Sequence, residues 1–92
     1  MSKATVLIPQ GLRAFTHGAP VVTVSADTVG AALKAVDEQA PGFLARILTA
    51  EQELRPLVNI FVGEFSIREK DGLQTRLADG DIIAVIPAVA GG

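Results

Sequence analysis

The chain has no cysteine, no tryptophan, no tyrosine and a single histidine among its 92 residues. Without cysteine there is no disulfide, no thiolate metal site and no cysteine nucleophile. Four phenylalanines are the only aromatic residues in a chain that is 49% apolar, so its core has to be aliphatic. A basic block is missing as well. Eight basic and ten acidic residues are spread along the chain for a net charge of −2, which argues against nucleic-acid binding. No basic-then-apolar leader is present, and no run approaches the ~18 apolar residues of a membrane span. The expectation is a soluble protein of the cytoplasm with no membrane partner.

Groups that could do chemistry are equally scarce. His17 stands beside Gly18 in a loop, with no second histidine for a metal and no evident nucleophile to activate. Glu51, Glu53, Glu64 and Glu69 fall in loops or turns, where carboxylates are ordinarily solvated, and nothing pairs an acid with a base. Neither GxGxxG nor GxxxxGK[ST] occurs, so no glycine loop is built for phosphate. Asp71-Gly72 and Asp79-Gly80-Asp81 lack the further oxygen ligands of a calcium loop and read as turns. By elimination we expect no catalytic residue, no metal site and no tightly bound cofactor: a chain that is not itself an enzyme.

What is present reads in order as one domain, for which the usual scaling gives a radius of gyration near ~12 Å. Residues 4–9 alternate, with Ala4, Val6 and Ile8 on one face and Thr5 and Leu7 on the other, and form a first strand. Residues 10–19 are a loop from which Leu12 and Phe15 tuck under the core. Val21 to Val24 make a second strand, antiparallel to the first. Asp27-Thr28 offers a helix N-cap. Val29, Leu33, Val36 and Ala40 then fall on one helical stripe, with Lys34, Asp37 and Glu38 off it. Pro41-Gly42 stops that helix, residues 43–48 add a helical turn that plugs one end of the core, and residues 49–55 are loop.

A third strand spans residues 56–62, with Val58, Ile60 and Val62 on one face and Asn59 and Phe61 on the other. Gly63-Glu64 turns into a short fourth strand over 65–67. Residues 68–72 are charged and turn, and Leu73 and Leu77, four apart, suggest a short helical turn. Asp79-Gly80 is a turn, because aspartate folds onto the local backbone and glycine accepts positive φ. Ile82 to Ile86 reads as a well-buried strand. Pro87 ends regular pairing, since it has no N–H to give a ladder.

Five residues remain: Ala88, Val89, Ala90, Gly91 and Gly92. Extended, they reach about 17 Å. The final pair has no side chains and so could enter a channel too narrow for any other residue. Two final glycines also arise by chance in about one chain in 200, so the tail carries weight only together with the strand and turn ahead of it. The expected organisation is a folded body over 1–87 and a flexible tail over 88–92.

The element order is β-β-α-β-β-β, an α+β fold in which one main helix packs on a four- to five-stranded mixed sheet. One helix covers one face only. The other face should display Leu7, Phe61, Ala84 and Ile86, either as a partner-docking patch or as ordinary exposed hydrophobicity.

This order, the helix opening Asp27-Thr28-Val29, the segment Leu73-x-x-x-Leu77-x-Asp79-Gly80-Asp81 and the ending Pro87-Ala88-Val89-Ala90-Gly91-Gly92 together resemble the ubiquitin-like sulfur carriers of the MoaD/ThiS family. The resemblance covers essentially the whole chain and implies a β-grasp fold. Val58 to Val62 and the tail look most like the members that carry sulfur for cysteine synthesis. It further implies that a ubiquitin-activating-like enzyme, using ATP and Mg²⁺, adenylates Gly92, and that a sulfur donor then leaves a thiocarboxylate there. Ala88 to Gly91 would thread into the partner, and Ile86 matches the partner-facing position. The implied acceptor is an aminoacrylate on a pyridoxal-phosphate cysteine synthase, with a metalloprotease later releasing cysteine. The alternative is the large subunit of molybdopterin synthase. Two further readings stay open: a modifier conjugated to lysines, and a non-covalent module for which the glycines are incidental.

Overall fold

In the computed structural model, which describes residues 1–87, five strands form one sheet in the order β2-β1-β5-β3-β4. β1 (Ser2–Leu7) pairs antiparallel with β2 (Val21–Ala26) and parallel with β5 (Asp81–Pro87). β5 pairs antiparallel with β3 (Val58–Val62), which carries the two-residue β4 (Phe65–Ser66) at the edge. The first and last strands therefore lie side by side at the centre, and α1 (Val29–Gln39) lies on the chain between them. The radius of gyration is 12.0 Å.

Alternation along the strands sets the core. Ala4, Val6, Val24, Ile60, Ile83 and Val85 turn to one face, where all are buried against Val29, Ala32, Leu33 and Val36 of α1. Phe43 and Ile47, either side of the 3-10 turn Leu44–Arg46, are buried as well and close one end, as the sequence suggests. α1 begins where Thr28 Oγ1 accepts the Ala31 N–H at 3.2 Å, a side-chain cap for a donor that has no helical partner. It ends by turning sharply. The Asp37 carboxylate accepts the N–H groups of Gly42 and Leu44 at 3.2 and 2.9 Å. Gly42 has φ +102°, and a Cβ on it would stand 2.8 Å from the Phe15 ring, so both backbone and packing require glycine.

The Asp79-Gly80-Asp81 turn is built from both carboxylates. Asp79 Oδ1 accepts the Lys3 N–H at 2.7 Å, Asp81 Oδ2 accepts the Ala78 N–H at 2.8 Å, and the Gly80 N–H donates to the Lys3 carbonyl at 2.8 Å. These bonds pin the start of β5 to β1 and set the parallel register Ala4 to Asp81 and Leu7 to Ala84.

Several elements differ from the sequence reading. β5 is not buried throughout: Ile83 and Val85 are, whereas Ile82 and Ile86 are 49% and 50% exposed, because no layer of the described residues covers its other face. The third strand starts at Val58 rather than at Pro56, since the Val58 N–H closes a turn onto the Arg55 carbonyl. β4 stops at Ser66, whose hydroxyl accepts the Arg68 N–H and starts the 3-10 turn Ile67–Glu69. Leu73 and Leu77 do not share a helical turn. A 3-10 turn holds Gly72–Gln74, after which Arg76 bridges to Thr28 and the Leu77 N–H bonds the Asp27 carbonyl.

Leu33→Ala, at the centre of the helix stripe, should lower unfolding free energy by ~2 to 5 kcal/mol in denaturant titration. Gly42→Ala should cost ~1 to 3 kcal/mol by the same measurement, from positive φ and the Phe15 contact.

Candidate docking face and C-terminal strand

The uncovered face is assembled by register. Leu7 stands opposite both Val21 on β2 and Ala84 on β5, and Ala84 stands opposite Phe61 on β3. Val21, Leu7, Ala84 and Phe61 thus form one row across four strands, about 14 Å long at the usual ~4.8 Å strand spacing. A second line runs along β5 at period two, Ile82, Ala84 and Ile86. Ile82 lies beside Thr5, and Ile86 lies beside Asn59. Ile86, Ile82, Val21 and Leu7 are the most open of these apolar residues, and Phe61 and Ala84 are partly covered.

All four residues expected on this face, Leu7, Phe61, Ala84 and Ile86, are on it and contiguous. Val21 and Ile82 were missed. The signal for Ile82 was its parity with Ala84 and Ile86, masked by reading the whole strand as buried. For Val21 no local signal existed, because only the β1 to β2 register puts it next to Leu7.

Pro87, the last described residue, stands opposite Val58 at the end of β5. Ala88, Val89, Ala90, Gly91 and Gly92, expected to form the tail and its reactive end, lie outside the described residues. The described part of β5 thus ends next to Ile86, at the edge of the apolar face.

Other candidate groups are elsewhere. His17, at φ +54°, borders a groove with Thr16, Val22 and Gln39. Glu51, Glu53, Glu64 and Glu69 are exposed. Among the described residues no three histidines or carboxylates gather as metal ligands, and no helix is long and apolar enough to cross a membrane.

The ThiS family model matches residues 6–92. The chain belongs to the ThiS family. It is 39% identical over 90 residues to the sulfur carrier protein CysO of Mycobacterium tuberculosis (strain ATCC 25618 / H37Rv), covering 96% of this chain and 97% of that protein. In the crystal structure of the Amycolatopsis orientalis BexX/CysO complex, a chain 36% identical superposes with a TM-score of 0.90, over 97% of this chain and 99% of that one. The solution structure of the small archaeal modifier protein 1 from Methanosarcina acetivorans gives 0.85 at 28% identity, over 100% and 98%. The fold is accordingly the ubiquitin-like β-grasp. This ThiS-family chain is similar to small sulfur carriers, and a relative of it is found in complex with another protein.

Because Ile86 is half exposed on an uncovered face, Ile86→Glu should cost about 1 kcal/mol or less in a thermal melt. A collapsed melting temperature would show that the side chain packs in the core.

Proposed function

We propose that the protein is a sulfur carrier for cysteine biosynthesis, with the transferred sulfur held on Gly92. One observation carries this: an essentially full-length match to CysO in a chain whose diglycine end comes shortly after a strand with an exposed apolar face.

An ordinary C-terminal carboxyl is an ionised, resonance-stabilised group at neutral pH and resists sulfur nucleophiles. Activation by a ubiquitin-activating-like partner would join it to AMP from Mg-ATP, with loss of pyrophosphate. A sulfur donor would then displace AMP and leave a thiocarboxylate on Gly92. The sulfur is a soft nucleophile, suited to attack an aminoacrylate on a pyridoxal-phosphate cysteine synthase, and a metalloprotease would release the product. ATP, Mg²⁺ and pyridoxal phosphate belong to those partners.

This chain would contribute three things. Ala88, Val89, Ala90 and Gly91 would thread into a partner, the glycines bringing the least bulk. Ile86 and the Leu7, Ala84, Phe61 row would form the docking patch, with Val21 and Ile82 extending it. The central position of β5, bonded on both sides, would hold the base of the tail at a fixed angle to that patch.

A second reading, conjugation to lysines of target proteins, is supported by 35% identity over 65 residues to the small archaeal modifier protein 3 of Haloferax volcanii, 71% of this chain and 70% of that one. The same glycine would be activated in either case.

Incubation with a matched activating enzyme, ATP and a sulfur source should raise the intact mass by the difference of sulfur over oxygen, and fragmentation should place it on Gly92. Deleting Gly92 should abolish the gain without lowering the melting temperature, since a glycine has no side chain to bury. A wild-type mass that stays unchanged would count against sulfur carriage, and lysine-linked ladders in its host would favour the second reading.

A further inference from the structure

Asn59 is the only asparagine in the chain, and it stands on the open face of β3 opposite Ile86. Its place there has a backbone cause. The Gly63 N–H bonds the Ile82 carbonyl. Antiparallel alternation along the β3 to β5 register then turns the backbone groups of Phe61 and Asn59 toward β5, and those of Ile60 and Val58 away from it. The neighbour on that side is β4, which is only two residues long and stops short of them. Side chains take over. Arg68 Nη2 donates to the Val58 carbonyl at 2.6 Å, and Asn59 Oδ1 accepts the Ile60 N–H at 2.8 Å.

The Ser66 hydroxyl donates to the same Oδ1 at 2.7 Å. Two donors therefore hold one oxygen. An N–H can only donate, so the oxygen and nitrogen of this amide are assigned by the bonding itself. Nδ2, with two N–H groups, is directed away from them and makes no hydrogen bond among the described residues.

We propose that Asn59 Nδ2 is a specificity-determining donor toward one partner, the ATP-dependent activating enzyme: when that enzyme covers Ile86 and Phe61, it has to bring a carbonyl or carboxylate oxygen against this amide. This rests on the functional reading in which a protein partner covers this face. Covering those apolar residues removes water from the adjacent amide, and an N–H left unpaired in a dry interface is penalised. The side chain cannot swing clear, since that would leave the Ile60 N–H without its acceptor. An apolar surface of the right shape but without the oxygen is thereby rejected, which is how a fixed polar group confers selectivity on a largely apolar contact.

Asn59→Asp isolates the claim, because a carboxylate still accepts from Ile60 and Ser66 but has no donors. Asn59→Ser is uncharged and its one hydroxyl is too short to reach where Nδ2 stands, so it separates a lost donor from an added charge. The probe is the ATP-dependent activating enzyme of the same organism, with binding measured by calorimetry. Both variants should weaken Kd about 10- to 100-fold and keep the wild-type fold by circular dichroism. In ¹⁵N-labelled wild-type protein, a side-chain Hδ2 signal of Asn59 should move downfield on complex formation, which a purely structural role would not produce. Wild-type-like affinity in both variants, or an unmoved Hδ2 signal in a formed complex, overturns the inference. If a variant unfolds, the Hδ2 signal of the wild-type complex decides alone. Absence of binding by wild-type protein instead overturns the partner reading beneath it.

Discussion

A single helix lies against a five-stranded sheet, and one helix is too narrow to cover both faces. The rest of the molecule is shaped by that mismatch. Aliphatic side chains collect on the covered face, where Val6, Leu33, Ile60 and Ile83 are fully buried and Phe43 is the one fully buried aromatic among the described residues. Side chains of opposite parity on the same strands are left facing outward. On β1, β3 and β5 those include Leu7, Phe61, Ile82 and Ile86, so the layer that makes the fold stable also creates an apolar surface that packing among the described residues covers only in part.

The second organising feature is the central place of the last strand. β5 lies between β1 and β3, bonded on both sides, and its register is fixed at its start by Asp79, Gly80 and Asp81 binding to Lys3 and Ala78. A strand at an edge could fray or slip. A central one cannot do so without breaking two ladders. Pro87, the last described residue, is thus held at a set position next to Ile86 and the open face.

Polar groups at the short edge are arranged with the same economy. β4 is too short to satisfy the outer side of β3, and Arg68 and Asn59 complete the backbone bonding there. In doing so Asn59 has its amide oxygen held by Ile60 and Ser66 beside Ile86 and Phe61 on the open face.

Local patterns were legible without coordinates. The helix stripe of Val29, Leu33, Val36 and Ala40, the Thr28 cap, the parity of Val58 and Ile60 against Asn59 and Phe61, and the Asp79-Gly80 turn depend on residues a few positions apart. Covalent geometry alone dictates where such side chains point. Tertiary structure decided the rest: that Leu7, Ala84 and Phe61 form one row, that Val21 and Ile82 extend it, that Leu77 leaves the helical turn for a bond to Asp27, and that Asn59 holds its amide fixed. Each of these depends on which strand lies beside which and in what register. That is settled by hydrogen bonds and packing between segments as far apart as the two ends of the chain, which no short window of sequence contains.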